Sequence, residues 1–254
     1  MSAVKSTVWT EPSEVPTPKP DEVHVWRISL AGQPGETARL KELLSPEELD
    51  HAGHFHFAHH QRRFIIRRAV LRQLLAACLG GSPGAVQWEF GSHGKPVVPD
   101  QTDDRDLRFS CSHSDDWALI ALARGRELGV DLEQHRPMPD AAEVANRFFA
   151  PAEIRELTSL PPALKAAGFF NCWARKEAFI KALGLGLSYP LNRFVVSLAP
   201  EKPAALLAVE DDPEAVKKWR LMTFTAIPAC SAALVFEGPA AALKYFDWKP
   251  RFQA

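Results

Sequence analysis

A chain of 254 residues with 46% hydrophobic and 24% charged side chains has a globular balance and can bury its own core, as one large α/β unit or as two lobes; two lobes sharing an interface are expected. With 30 Lys and Arg against 31 Asp and Glu the formal charge is −1, which excludes a global pull toward nucleic acid or an anionic membrane and leaves any polyanion to be met locally. Cys78, Cys111, Cys172 and Cys230 form no C-x-x-C pair, and no signal-like or membrane-length apolar run occurs, so a reduced, cytosolic protein that does not span a membrane is expected.

Pro12, Pro16, Pro18 and Pro20 make residues 1–22 an extended lead-in. The alternation in VHVWRISL predicts a strand over residues 23–30. In SPEE, Ser45 caps, Pro46 suits the first helical position and Glu48 closes a capping box, so a helix or helix pair starts there and stops at Gly80-Gly81. VQWEF (86–90), LRFSCS (107–112), WALIALA (117–123) and LGVDLE (128–133) read as strands. Short helices are predicted over residues 140–149 and 151–158, and a long one over 163–183, stopped by Gly184. FVVSL, AALLAV, WRLMTF and SAALVFE then read as four strands. The lobes are expected at residues 1–123 and 124–254, with a cleft between them.

Within LGVDLE, Asp131 and Glu133 share one strand face, with Cα atoms about 6.6 Å apart. At that spacing two carboxylates repel by roughly 2.4 kcal/mol at an effective dielectric of about 20. Hydration at a strand edge offsets that; so does a bound cation, and all-oxygen ligands suit Mg2+ or Mn2+. In WARKEAFIKALGLGL (173–187), Trp173, Glu177 and Lys181 fall at i, i+4 and i+8 on one helical stripe. That spacing fits a surface ion pair, or a third carboxylate beside a lysine that meets phosphate. Ser112, His113 and Ser114 stand where a strand turns, suited either to holding an anion or to capping the turn. GSHGKPVVP reads as an exposed loop displaying Lys95. In HAGHFHFAHH, His56 and His60 at i, i+4 have the spacing of zinc ligands but lack a supporting third ligand, and a solvated or anion-facing helix face is the better reading.

In this order GKPVVP, FSCSHS, GVDLE, RFFAPAEI and WARKEAFIKALGLGLS closely resemble the motifs of 4'-phosphopantetheinyl transferases of the monomeric, surfactin-synthetase-activating type, over roughly residues 45–196. The Trp and Ala of the last motif resemble the W/KEA subgroup, linked to polyketide, peptide or lipid synthases. The resemblance implies an α+β fold of two similar, pseudo-symmetric lobes, each a small antiparallel sheet packed with a long helix. It also implies transfer of phosphopantetheine from coenzyme A to a serine of a carrier protein, with release of 3',5'-ADP and with Mg2+ and coenzyme A held between the lobes.

By motif position, the resemblance makes Asp131 and Glu177 metal ligands, with Glu133 a further ligand or reaching the ion through water, and Glu177 also the general base, directly or through a water. Lys181, and secondarily Lys176, whose azimuth differs by about 100° from Glu177, would neutralise the pyrophosphate. Ser112 and His113 match the pair near the 3'-phosphate, Lys95 a lysine near the nucleotide, and Arg63 an arginine on the 3'-phosphate, with Arg67 one turn away. Glu48 and His51 depart from the pattern, standing where the type member has nucleotide-binding lysines. Phe148, Phe149 and Ile154 are candidates for the apolar surface that docks the carrier. A single chain supplies the whole cleft, so a monomer is expected. Two other classes share these residues: a silent coenzyme-A-binding scaffold, and a different metal-dependent phosphotransferase or phosphodiesterase.

Overall fold

The computed structural model describes residues 7–99 and 106–250, apart from the side chain of Leu187; the first six residues of the proline-rich lead-in lie outside them. The order is β1 (Glu22–Ser29), α1 (Pro34–Lys41), α2 (Pro46–Gly53), α3 (Ala58–Leu79), β2 (Glu89–Phe90), β3 (Pro96–Val97), β4 (Leu107–Ser114), β5 (Trp117–Arg124), β6 (Leu128–Gln134), α4 (Ala141–Phe148), α5 (Pro151–Ser159), α6 (Pro162–Leu183), β7 (Phe194–Val196), β8 (Leu206–Val209), α7 (Ala215–Lys218), β9 (Trp219–Thr223), β10 (Cys230–Glu237) and β11 (Ala242–Asp247). This is an α+β fold built on two sheets, ordered β11-β1-β5-β4 and β6-β10-β9. No helix among the described residues is long and apolar enough to cross a membrane.

The side-chain period of the strands sorts the core into layers. Trp26 and Ile28 on β1, Phe109 on β4 and Ile120 and Leu122 on β5 pack against Ile66, Val70 and Leu74 of α3. The opposite face of the same sheet, through Val23, Val25, Leu119 and Ala121, meets Val130 and Leu132 of β6 and Leu234 of β10. The far face of the second sheet, with Ala233 and Val235, meets Ala174, Ala178 and Ala182 of α6. The molecule is thus helix, sheet, sheet, helix, and both long helices have 22 residues. The central strand of the first sheet, β5, and that of the second, β10, are buried on both faces, which explains their near-continuous apolar runs.

Both long helices end as their sequences require: Gly80 and Gly184 adopt left-handed conformations at φ 73° and 72°. The capping box at Ser45 is present, with Ser45 Oγ accepting from the Glu48 amide at 3.3 Å and Glu48 Oε2 accepting from the Ser45 amide at 3.0 Å.

Three expectations change. The strand expected over residues 86–90 is reduced to the two residues of β2, because Trp88 turns instead to lie against the guanidinium groups of Arg68 and Arg72. Helices α1 and α7 and strands β3 and β11 fall where no element is expected. The chain end also crosses the expected division at 123/124: β11 returns to pair in parallel with β1, and Arg27 grips Asp247 with Nε and Nη2 at 2.7 and 2.8 Å. The first sheet is therefore mixed, while the second is antiparallel throughout.

Candidate active site

Strand β6 sends Leu128, Val130 and Leu132 into the inter-sheet core, so Gly129, Asp131 and Glu133 face α6. Gly129 sets the distance. A methyl group there would overlap the Ala178 carbonyl and the Ala182 amide of α6, so only glycine lets strand and helix approach this closely. That approach delivers Asp131 to the helix stripe of Glu177 and Lys181.

Asp131 is 3% exposed. Its Oδ1 accepts from Ser112 Oγ at 2.7 Å and from Lys181 Nζ at 2.6 Å, while Oδ2 is buried with no partner. Lys181 Nζ also donates to Ser112 Oγ at 3.1 Å. Burial and then the Asp131 charge push the Glu133 carboxyl up to about 7, with Glu177 adding to the effect against Arg136 and Lys181. Burial and Asp131 likewise raise Glu177. The three carboxylates are near enough to repel one another, and Lys181 supplies the counter-charge. As they stand, no three such side chains among the described residues enclose an ion.

The facing wall is cationic. Arg67 Nη1 donates to His113 Nδ1 at 3.5 Å. His113 has an exposed edge, but its ring is crowded; that desolvation, then Arg67, Lys181, Arg63 and His60, push it down to about 4. Arg63 is held by the β4–β5 turn, its Nε donating to Asp116 at 2.8 Å and its Nη2 to Asp115, and that contact with Asp116 raises it above its ordinary value. A cavity of ≈ 290 Å³ opens between Arg67, Arg68, Lys95, Ser110, Lys181 and Gly184. Lys95 lies on its wall, with Nζ donating to Glu127 at 2.5 Å and to the carbonyls of Leu128 and Ala182 at 3.2 and 3.1 Å. It ties the loop to the end of α6.

The structure thus brings together Asp131, Glu133, Glu177, Lys181 and Ser112, with His113, Arg63, Arg67 and Lys95 around them. Lys176 is a correction. It is fully buried on the other side of α6, where Nζ donates to the carbonyls of Leu191 and Phe194 at 2.7 Å each and pairs with Glu153 at 2.8 Å. The helical rotation that separates it from Glu177 takes it out of the cleft. Phe149 is also core, 2% exposed. Phe148 stands edge-on to Trp173 at 5.7 Å, and Ile154 lines an apolar groove with Leu157 and Phe169.

Glu48 and His51, which break the motif, have structural work. Glu48 Oε2 accepts from Arg72 Nε at 2.7 Å and so fastens α2 to α3, and His51 packs on Phe55 and Phe64. The rings of His59 and His60 are 4.1 Å apart at the start of α3, and no metal-holding group is formed there among the described residues. Sequence reasoning overlooked Gly129, Asp115 and Asp116. A glycine inside a strand pattern was the available signal for the first; the acidic turn became meaningful only once Arg63 was placed beside it.

Known proteins carry the same two-part signature. Residues 32–124 match the family described as 4'-phosphopantetheinyl transferase, N-terminal, and residues 127–229 the 4'-phosphopantetheinyl transferase superfamily. The chain is 38% identical to the 4'-phosphopantetheinyl transferase HetI of Nostoc sp. over 91% of this chain and 92% of that protein. It is 31% identical to the 4'-phosphopantetheinyl transferase psf-1 of Bacillus pumilus over 80% and 83%. To the human L-aminoadipate-semialdehyde dehydrogenase-phosphopantetheinyl transferase it is 27% identical over 62% and 53%. With a relative matched almost end to end and both halves of the chain assigned, the protein belongs to the 4'-phosphopantetheinyl transferase superfamily.

Proposed function

We propose that this protein moves the 4'-phosphopantetheine group of coenzyme A onto a serine of apo acyl- and peptidyl-carrier proteins. The observation that carries the reading is the meeting, in one cleft, of three carboxylates and Lys181 with a facing cationic wall around His113. The serine oxygen forms a bond to the phosphorus that bears the pantetheine. The bond from that phosphorus to the bridging oxygen breaks, and the electron pair leaves on 3',5'-ADP.

Glu177 is the group that takes the serine proton. It and Glu133 have no hydrogen bond or ion pair among the described residues, so both carboxylates are uncommitted. Ser112 holds Asp131 in one orientation. Lys181, held between Asp131 and Ser112, meets the negative charge that grows on the leaving phosphate. Arg63, Arg67, His113 and Lys95 receive the nucleotide end. The orphaned Oδ2 of Asp131 and the all-oxygen donor set with Glu133 and Glu177 fit Mg2+ or Mn2+. Such an ion, when bound, would neutralise pyrophosphate oxygens.

The lobes are read as 1–123 and 124–254, with β11 handed back to the first sheet. A cleft complete within one chain supports action as a monomer, and four free cysteines support a reducing, cytoplasmic setting. Neither nucleic acid nor membrane is needed as a partner. The test is to incubate the protein with coenzyme A, Mg2+ and a panel of apo carrier proteins. Mass spectrometry should find one phosphopantetheine added to the serine of at least one carrier; an unmodified panel sinks the proposal.

A further inference from the structure

Strand β6 is the outer strand of its sheet, with β10 on one side and no hydrogen-bonded strand on the other among the described residues. An outer strand presents a row of N–H groups that must find partners when buried. Here the partners are side chains. The amides of Val130, Leu132 and Gln134 donate to Ser110 Oγ at 3.1 Å, Ser112 Oγ at 3.3 Å and Ser114 Oγ at 3.0 Å. Each pair is separated by the same 20 residues, so β4 and β6 run parallel in a fixed register, joined through hydroxyl groups. The alternation of FSCSHS makes this work: Phe109 and Cys111 turn toward α3 while the three serines share the opposite face.

We propose that Ser110 and Ser114 are positioning residues, which flank Ser112 and lock the carboxylate-bearing wall of the cleft to its phosphate-gripping wall. Strand β4 carries His113 on one wall, and β6 carries Asp131 and Glu133 on the other. No main-chain pairing joins the two strands, so the hydroxyl ladder is what bonds the β6 backbone to β4 along this edge. A slip of one residue would turn Asp131 away from α6, and a slip of two would carry it about 6.6 Å along the strand from Ser112. Serine suits the task because its oxygen can accept from an amide and still donate, as Ser112 does to Asp131. Ser110 is buried at the rim of the cavity and Ser114 is half-buried at the end of β4.

The inference rests on the reading of the cleft as a coenzyme A site, and its test separates the two. A ligand that spans both walls depends on their spacing, whereas a fragment that touches one wall does not. In the Ser110→Ala/Ser114→Ala variant, coenzyme A affinity measured by calorimetry should fall about tenfold, while affinity for adenosine 3'-phosphate, which meets the cationic wall alone, stays within about twofold. Amide exchange at Val130 and Gln134 should quicken, and Ser110→Ala/Ser114→Thr should recover most of the coenzyme A affinity. Unchanged binding of both ligands, or an equal loss of both, overturns the positioning role. Should the unaltered protein fail to bind coenzyme A, the reading of the site fails, and unchanged exchange at Val130 and Gln134 in the alanine variant would then overturn the ladder separately.

Discussion

Asp131 and Lys176 show how two charged residues with similar sequence credentials come to opposite uses. Asp131 keeps one oxygen without a partner at the cleft, so Asp131→Asn, or Glu177→Gln, is expected to lower turnover by about 100- to 1,000-fold. Circular dichroism should show an unchanged fold; wild-type turnover in either variant refutes the assignment. Lys176 spends its charge inside the protein on Glu153 and two carbonyls. Lys176→Ala strands the Glu153 carboxylate and should cost about 3–5 kcal/mol of stability by urea denaturation. The Lys176→Met/Glu153→Gln pair should recover much of that loss, which a lysine acting on substrate would not predict. His113 offers a third check. With its folded value near 4 and an ordinary value of 6.5, the ring stays neutral at pH 6, and its NMR signals should titrate near pH 4. Because the folded value is the lower one, the native state loses stability as pH falls from about 6.5 through 4.

At the scale of elements, the motif GVDLE acts through its glycine as much as its acids. Gly129→Ala should force β6 off α6, since the added methyl meets backbone atoms that cannot rotate aside. The expected result is loss of activity with lowered thermal stability, with the larger fall in activity because Asp131 moves away from Lys181. Near-wild-type activity would show that the close approach is dispensable. Helix α2 illustrates an element whose sequence signal was local and sufficient: Ser45, Pro46 and Glu48 specify its start without help from the rest of the chain. Strand β2 is the contrary case. VQWEF has the composition of a strand, yet its ring finds two guanidinium groups to cover, and tertiary contact overrides propensity.

For the whole molecule, the return of β11 to β1 makes the two ends of the chain one structure. Trp9 packs on Phe224 and Tyr245, and its Nε1 donates to the Thr225 carbonyl at 3.0 Å. Truncation after Ala241 would uncover β1, remove Asp247 from Arg27 and open the inter-sheet core. The shortened chain should lose a large share of the ~5–15 kcal/mol typical of a folded protein, read as a fall in its thermal midpoint; an unchanged midpoint would contradict this account.

The sequence by itself determined the ingredients: the long helices with their glycine stops, most of the strands, and the order of the acidic and basic motifs that resembles one enzyme family. Those features depend on period, capping and composition, which act between near neighbours. Tertiary structure decided which charges face the cleft. Whether Lys176 meets phosphate or Glu153, whether Glu48 touches nucleotide or Arg72, and that serine hydroxyls join two separate sheets all depend on contacts between residues far apart in the chain. Burial and pairing of such groups are settled when layers pack, because a charge removed from water takes whichever partner the fold brings within reach.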